Sequence, residues 1–181
     1  RIKTIADGTK LDMASVPMMN SNMLGGGGFQ ILFVKKGGTG NGSSWSNAFG
    51  DLQQALSAAK PGTEIWVATG IYTPSMSNNR NASFVLNEGI FLIGGFLGNE
   101  TSRTMRNWLA NPTVLSGNIG DANSNDDNSY NVVFTRNVKD VQMDGFYITG
   151  GKAENSKQKE IEGHRTSTGA GWYNEASSGT H

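Results

Sequence analysis

The chain has 181 residues, carries 15 Lys and Arg against 15 Asp and Glu, and contains no Cys. Balanced charge argues against a nucleic-acid-binding domain and removes the polybasic signal for an anionic membrane surface. Without Cys there is no disulfide framework, zinc ribbon or thiol nucleophile, and no apolar run approaches the roughly 20 residues that span a bilayer. Charged residues make up 17%, against about 25% in an average domain. Gly stands at 25 residues, about twice its usual share of about 7%. Asn, Ser, Thr and Gly must therefore supply much of the polar surface. The chain opens at Arg1 without a visible signal peptide, as expected of a processed chain or a fragment.

Residues 1–30 differ from the rest. Met13, Met18, Met19 and Met23 crowd one stretch, which runs into Gly25-Gly26-Gly27-Gly28. Four Gly in a row make a flexible joint. An arm or linker is expected there; a segment docking through its adaptable Met side chains is the alternative. Ile31-Leu32-Phe33-Val34 then reads as a strand, and residues 35–44 as a Gly-rich loop. That loop lacks the Gly-Lys-Ser/Thr ending of a phosphate cradle. Residues 47–59 read as the one clear helix, with Leu52, Ala55, Leu56 and Ala59 as an apolar stripe, Asn47 as N-cap and Pro61-Gly62 as the stop.

From Glu64 onward the chain becomes a series of short apolar runs punctuated by Gly and Asn: 65–68, 84–86, 90–93, 113–115, 132–134 and 146–149. Continuous runs of this kind suit buried parallel strands. Leu92 precedes Leu115 by 23 residues, Ile148 precedes Trp172 by 24, and Val85 precedes Val133 by 48. Recurrence at that interval signals stacked repeats. The expected fold is all-β: a right-handed parallel β-helix over residues 31–181, with the helix capping its first turn. No capping pattern follows the last strand, so the stack is expected to continue past His181. Residues 121–128 and 154–167 read as insertions between turns.

The residues Phe33-Val34-Lys35, Gly40-Asn41-Gly42-Ser43-Ser44-Trp45, Asp51-Leu52-Gln53-Gln54-Ala55-Leu56, Glu64-Ile65-Trp66-Val67-Ala68 and Gly70-Ile71-Tyr72 form a distinctive opening. Pro112-Thr113-Val114-Leu115-Ser116-Gly117, Asp144-Gly145-Phe146-Tyr147-Ile148-Thr149-Gly150-Gly151 and Gly169-Ala170-Gly171-Trp172-Tyr173-Asn174 continue it. Together they resemble the pectate-lyase-like right-handed parallel β-helix domains of secreted bacterial surface proteins. The resemblance covers residues 31–153 and 169–178. It implies a secreted or cell-surface setting, outer-membrane-associated and of Bacteroidetes type. It implies activity less clearly, since some members of that superfamily cleave acidic polysaccharides and many in this subgroup have no known catalysis.

Several constellations could carry chemistry. Arg103, Arg106, Arg136 and Lys139 are the cations available to a β-eliminating lyase, but no ligand cluster accompanies them at a one-turn offset, and solvated surface charge is the simpler reading. Asp140 and Asp144 would stand about 13 Å apart along a strand, too far for either glycosidase geometry unless a turn closes the gap. Asp121, Asn123, Asn125 and Asp127 place oxygens at alternate positions, as a structural calcium ion would require. The EF-hand pattern nonetheless fails, with Asp126 where Gly is needed and Val132 where Glu is needed. His164 and His181 are too few and scattered for a metal centre, and Asn41, Asn81 and Asn99 begin Asn-x-Ser/Thr triplets. Of Trp45, Trp66, Trp108, Trp172 and Tyr173, the first two read as packing residues; Trp172 and Tyr173 are the candidates for stacking on sugar rings.

Two functions follow as expectations. The first is a non-catalytic, adhesin-like module that binds surface glycans or proteins, or acts as a rigid spacer. The second is a polysaccharide lyase or glycoside hydrolase whose active turns lie largely beyond residue 181.

Overall fold

The computed structural model describes residues 30–154, 160–161, 164–165 and 170–175. The arm expected over residues 1–30 (all but Gln30), most of the 154–167 insertion, and His181 lie outside the described residues.

The chain begins with β1 (Ile31–Val34), a 3-10 turn at Trp45–Asn47 and helix α1 (Leu52–Ala58). It continues through β2 (Glu64–Ala68), β3 (Gly70–Tyr72), β4 (Phe84–Val85), β5 (Phe91–Phe96), β6 (Thr113–Ser116) and β7 (Val133–Arg136). There follow β8 (Gln142–Asp144), β9 (Phe146–Thr149), β10 (Glu160–Ile161), β11 (His164–Arg165) and β12 (Trp172–Glu175). Three short parallel sheets result, ordered β1-β2-β5-β8, β3-β6-β9 and β12-β7-β4, beside the antiparallel pair β10-β11.

This corrects the expectation of a single right-handed parallel β-helix with turns of about two dozen residues. The strands belong to separate short sheets, and paired positions lie at uneven intervals. Ile31 pairs with Glu64, Glu64 with Phe91, and Phe91 with Gln142. The residues behind the apparent period are not partners: Leu92 and Leu115 lie in different sheets, as do Ile148 and Trp172. Val85 faces Phe134 directly, so the interval near 48 is one step and not two.

The helix is also shorter than expected. Asp51 caps it, its side chain accepting from Gln53 N at 2.9 Å. Ahead of the helix Ala48 is extended, Phe49 pairs with the first strand and Gly50 bends. Phe49 N donates to Phe33 O, and Lys35 N donates to Phe49 O, both at 2.9 Å. Backbone groups already committed to a strand are not available to a helix. Leu52, Ala55 and Leu56 still form one buried stripe, which lies against β1, β2 and β4.

The main core gathers the inward residues of all three sheets: Leu32, Ile65 and Leu92 from the first, Tyr72 and Leu115 from the second, Phe84 and Val133 from the third. The first sheet is buried on its other face too. There Trp66, Ile93 and Phe96 pack with Phe33 and Trp45. The Trp66 and Phe96 rings stack with centroids 4.7 Å apart, and Phe33 meets Trp45 edge-on at 4.8 Å. Burial on both faces accounts for the continuous apolar runs of β2 and β5.

Candidate functional site

The second sheet is buried on one face only. Tyr72 and Leu115 point inward, whereas register sets Ile71, Val114 and Tyr147 side by side on the outer face. Ile71 is 61% exposed and Tyr147 48%. Beside them, Trp108 and Leu109 are 48% and 70% exposed. Trp108, Asp144, Gly145, Phe146 and Tyr147 line one open depression of about 200 Å³.

The local sequence explains how Trp108 is held there. Gly95 sits at φ +91, and a Cβ on it would stand 2.7 Å from both Cα and Cβ of Trp108. Only a glycine admits that close approach and that backbone conformation together. Gly95 O accepts from Asn107 N at 2.9 Å, and Gly95 N donates to Thr113 Oγ1 at 3.0 Å. The first bond fastens the Trp108 loop to β5, and the second ties β5 to β6. Below the aromatic pair, Arg106 donates to Gly94 O at 3.0 Å and forms an ion pair with Asp144. Gly145, at φ +80, leaves room for the guanidinium, whose Nη1 would lie 2.6 Å from a Cβ there. Two amphipathic rings, an ion pair and an open rim make a surface suited to an extended polar ligand with apolar faces.

The sequence-derived candidates fall elsewhere or serve other ends. Trp172 turns inward against the core, and its Nε1 donates to Thr135 Oγ1 at 3.0 Å. Trp172 is half-buried there. Tyr173 lies on the outer face beside Phe134, ring centroids 5.7 Å apart. Of the four cations considered for a lyase, Arg103 binds Glu64 at 3.2 Å, Arg106 binds Asp144 and Arg136 binds Glu175 at 2.7 Å. Asp140 occupies a left-handed turn at φ 54, a conformation Asp tolerates, while Asp144 ends β8 in its ion pair with Arg106. His164 lies in the antiparallel pair β10-β11.

In the acidic loop two of the candidate carboxylates are bonded to the loop's own backbone. Asp127 Oδ2 accepts from Asp121 N at 2.6 Å, and Asp121 Oδ1 from Asn123 N at 2.9 Å. Asn123 and Asn125 are exposed. Among the described residues no three His, Asp or Glu side chains gather as a metal-binding group.

One carboxylate that the sequence did not single out is held by backbone alone. Glu100 is 6% exposed. Its Oε1 accepts from Leu97 N at 2.6 Å, and its Oε2 from Gly98 N at 2.9 Å and Asn99 N at 3.0 Å. Burial pushes its pKa up, but the backbone N–H groups of Leu97, Gly98, Glu100 and Asn99 outweigh that and hold it below the ordinary carboxylate value. The Glu100 carbonyl accepts from Trp45 Nε1 at 2.9 Å, tying this turn to the outer aromatic cluster.

No described helix is long and apolar enough to cross a membrane. Comparison with protein families, curated proteins and solved structures finds no match.

Proposed function

We propose that the protein is a non-catalytic glycan-binding module of a secreted or surface protein, and that the outer face of the β3-β6-β9 sheet is its binding surface. The observation that carries this reading is the pairing of half-exposed Trp108 and Tyr147 across one depression. Ring faces take the C–H faces of sugars, while Asp144 and Arg106 beside them offer an acceptor and donors for hydroxyl groups. Binding is favoured over turnover because Arg103, Arg106 and Arg136 all hold carboxylates, and the fourth candidate, Lys139, is exposed and does not line the depression. None of these three is a free base for proton abstraction. The resemblance of the sequence to modules of secreted bacterial surface proteins supports an extracellular setting.

The test is a glycan array followed by titration calorimetry on the best-bound oligosaccharide. Truncating a central aromatic anchor costs more than about 1.4 kcal/mol, a tenfold loss of affinity. Trp108→Ala and Tyr147→Ala should each weaken binding at least that much, while Tyr173→Ala should leave it unchanged. Retained affinity in both site variants would refute this surface. Unsaturated products released from a uronate polymer would refute the non-catalytic reading.

A further inference from the structure

Four buried side-chain oxygens of the described residues have no hydrogen-bond partner: Asn81 Oδ1, Asp127 Oδ1, Asn128 Oδ1 and Ser129 Oγ. Asn128 and Ser129 are 2% and 0% exposed. All four oxygens belong to two segments, 78–83 and 117–131, that are bonded to each other. Arg80 Nε donates to Asn128 O at 2.8 Å, Tyr130 N to Arg80 O at 2.9 Å, and Ser83 Oγ to Asn131 O at 2.6 Å. The segments also meet at Gly120, where a Cβ would lie 2.0 Å from Asp127 Oδ2 and 3.0 Å from Asn78 Oδ1.

An unpaired buried oxygen costs about 1–3 kcal/mol, and all four lie on the two segments that cross here. Exchanging the ends of the Asn128 amide does not help. Its Nδ2 already faces Asn125 Oδ1 at 3.4 Å, and the exchange would set oxygen against oxygen. Asp127 Oδ1 and the two amide oxygens only accept, and one water donates just two hydrogens, too few for all three. The nearby cations are engaged elsewhere: Arg80 with Glu154 and Lys152 with the exposed Asp126. A hard cation that takes six to eight oxygens fits one carboxylate, two amides and a hydroxyl, with water completing the shell.

We propose that Asp127, Asn128, Ser129 and Asn81 hold a structural Ca²⁺ ion that pins segment 117–131 to segment 78–83. This inference is independent of the glycan surface. It also differs from the alternating set expected of the acidic loop, since Asp121, Asn123 and Asn125 are not among the ligands. One carboxylate among neutral oxygens belongs with weak extracellular sites, whose Kd is about 10⁻⁴–10⁻³ M.

The test is thermal unfolding at constant ionic strength in chelator, in Mg²⁺ and in Ca²⁺, with terbium luminescence sensitised by Tyr130 as a direct readout. At about 10 mM Ca²⁺ and a Kd of about 1 mM the folding constant rises about elevenfold. For a domain of this size that is an increase in Tm of about 3–6 °C. Wild type and Asp126→Asn should show the increase and Asp127→Asn should not. Asn81→Ala should move the Ca²⁺ midpoint up severalfold while still folding. A wild-type Tm unmoved by Ca²⁺ with no terbium signal, or an Asp127→Asn response equal to wild type, would overturn the site. A Ca²⁺ midpoint unchanged in Asn81→Ala would overturn the pin between segments.

Discussion

Glu100→Gln changes one oxygen to nitrogen and little else. The carboxylate serves three backbone donors from neighbouring residues, two on Oε2 and one on Oε1. A glutamine must turn its NH₂ toward one of those sets. Its best choice keeps Gly98 N and Asn99 N on oxygen and sets two donors facing each other at Leu97 N. One charge-assisted bond is then lost outright and the other two become neutral. Hydrogen bonds to charged groups contribute about 1.5–3 kcal/mol and neutral ones about 0.5–1.5, so the variant should be less stable by roughly 2–3 kcal/mol. At about 2–4 °C per kcal/mol for a domain of this size, Tm should fall by about 4–12 °C. Urea unfolding followed by tryptophan fluorescence reads the difference directly, because Trp45 is bonded to the Glu100 carbonyl. The pH dependence separates charge from shape. Glu100 has its pKa lowered from an ordinary value of 4.5 by the folded state. Its contribution is therefore present in full above that value and is lost as pH falls through the lower, folded one. The gap between wild type and variant should be constant near neutrality and narrow in acid. A difference under about 0.5 kcal/mol at pH 7, which is the scatter of ordinary surface substitutions, would refute the reasoning. A gap that does not narrow in acid would refute the role given to the charge.

Gly95→Ala should destabilise the fold by at least about 2 kcal/mol, from left-handed strain plus a clash with the Trp108 backbone; differential scanning calorimetry measures it. It should also weaken oligosaccharide binding beyond what Ala substitution at an exposed glycine elsewhere does, because Trp108 is displaced. Tyr72 is almost wholly buried and its hydroxyl donates to Ala68 O at 3.0 Å. Burial pushes its pKa well above the ordinary 10.0, with the Lys36 backbone bond a smaller opposing influence. The unfolded chain therefore releases this proton first, and stability that is complete below pH 10 declines as pH rises above it. Tyr72→Phe should cost about 0.5–1.5 kcal/mol at pH 7. In alkaline unfolding its disadvantage should shrink and then reverse; a gap independent of pH between 9 and about 11 would contradict the burial argument.

The elements the sequence made legible are those written as apolar runs, whether buried on both faces or on one. Ile31–Val34 and Phe146–Thr149 lie where their apolar runs put them, and Glu64–Ala68 extends its run by one residue. Gly70–Tyr72 and Gln142–Asp144 are strands without being apolar runs. Their neighbours impose the pairing: Ile71 on Val114, Met143 on Leu92. Tertiary context of that kind overrides local β-propensity. The binding surface was legible only in part. Trp108 stood among the aromatic candidates, but nothing in Asn107-Trp108-Leu109 says that Gly95 holds that loop beside Tyr147.

The false period has a related cause. Hydrophobicity reports that a residue is buried, not which sheet buries it. Leu92 and Leu115 are equally inaccessible, yet one is flanked by Ile65 and Met143 and the other by Tyr72 and Ile148. Counting from one apolar run to the next therefore measures passage between sheets around a shared core, a shorter interval than the return to the same sheet. True partners are set by backbone ladders and by loops of unequal length, such as 97–112 between β5 and β6 and 117–132 between β6 and β7. Those loops carry Glu100, Trp108 and Asp127. The residues that broke the period are thus the ones to which chemistry is assigned, since a segment freed from the ladder can spend its polar groups on a turn, a ring or an ion.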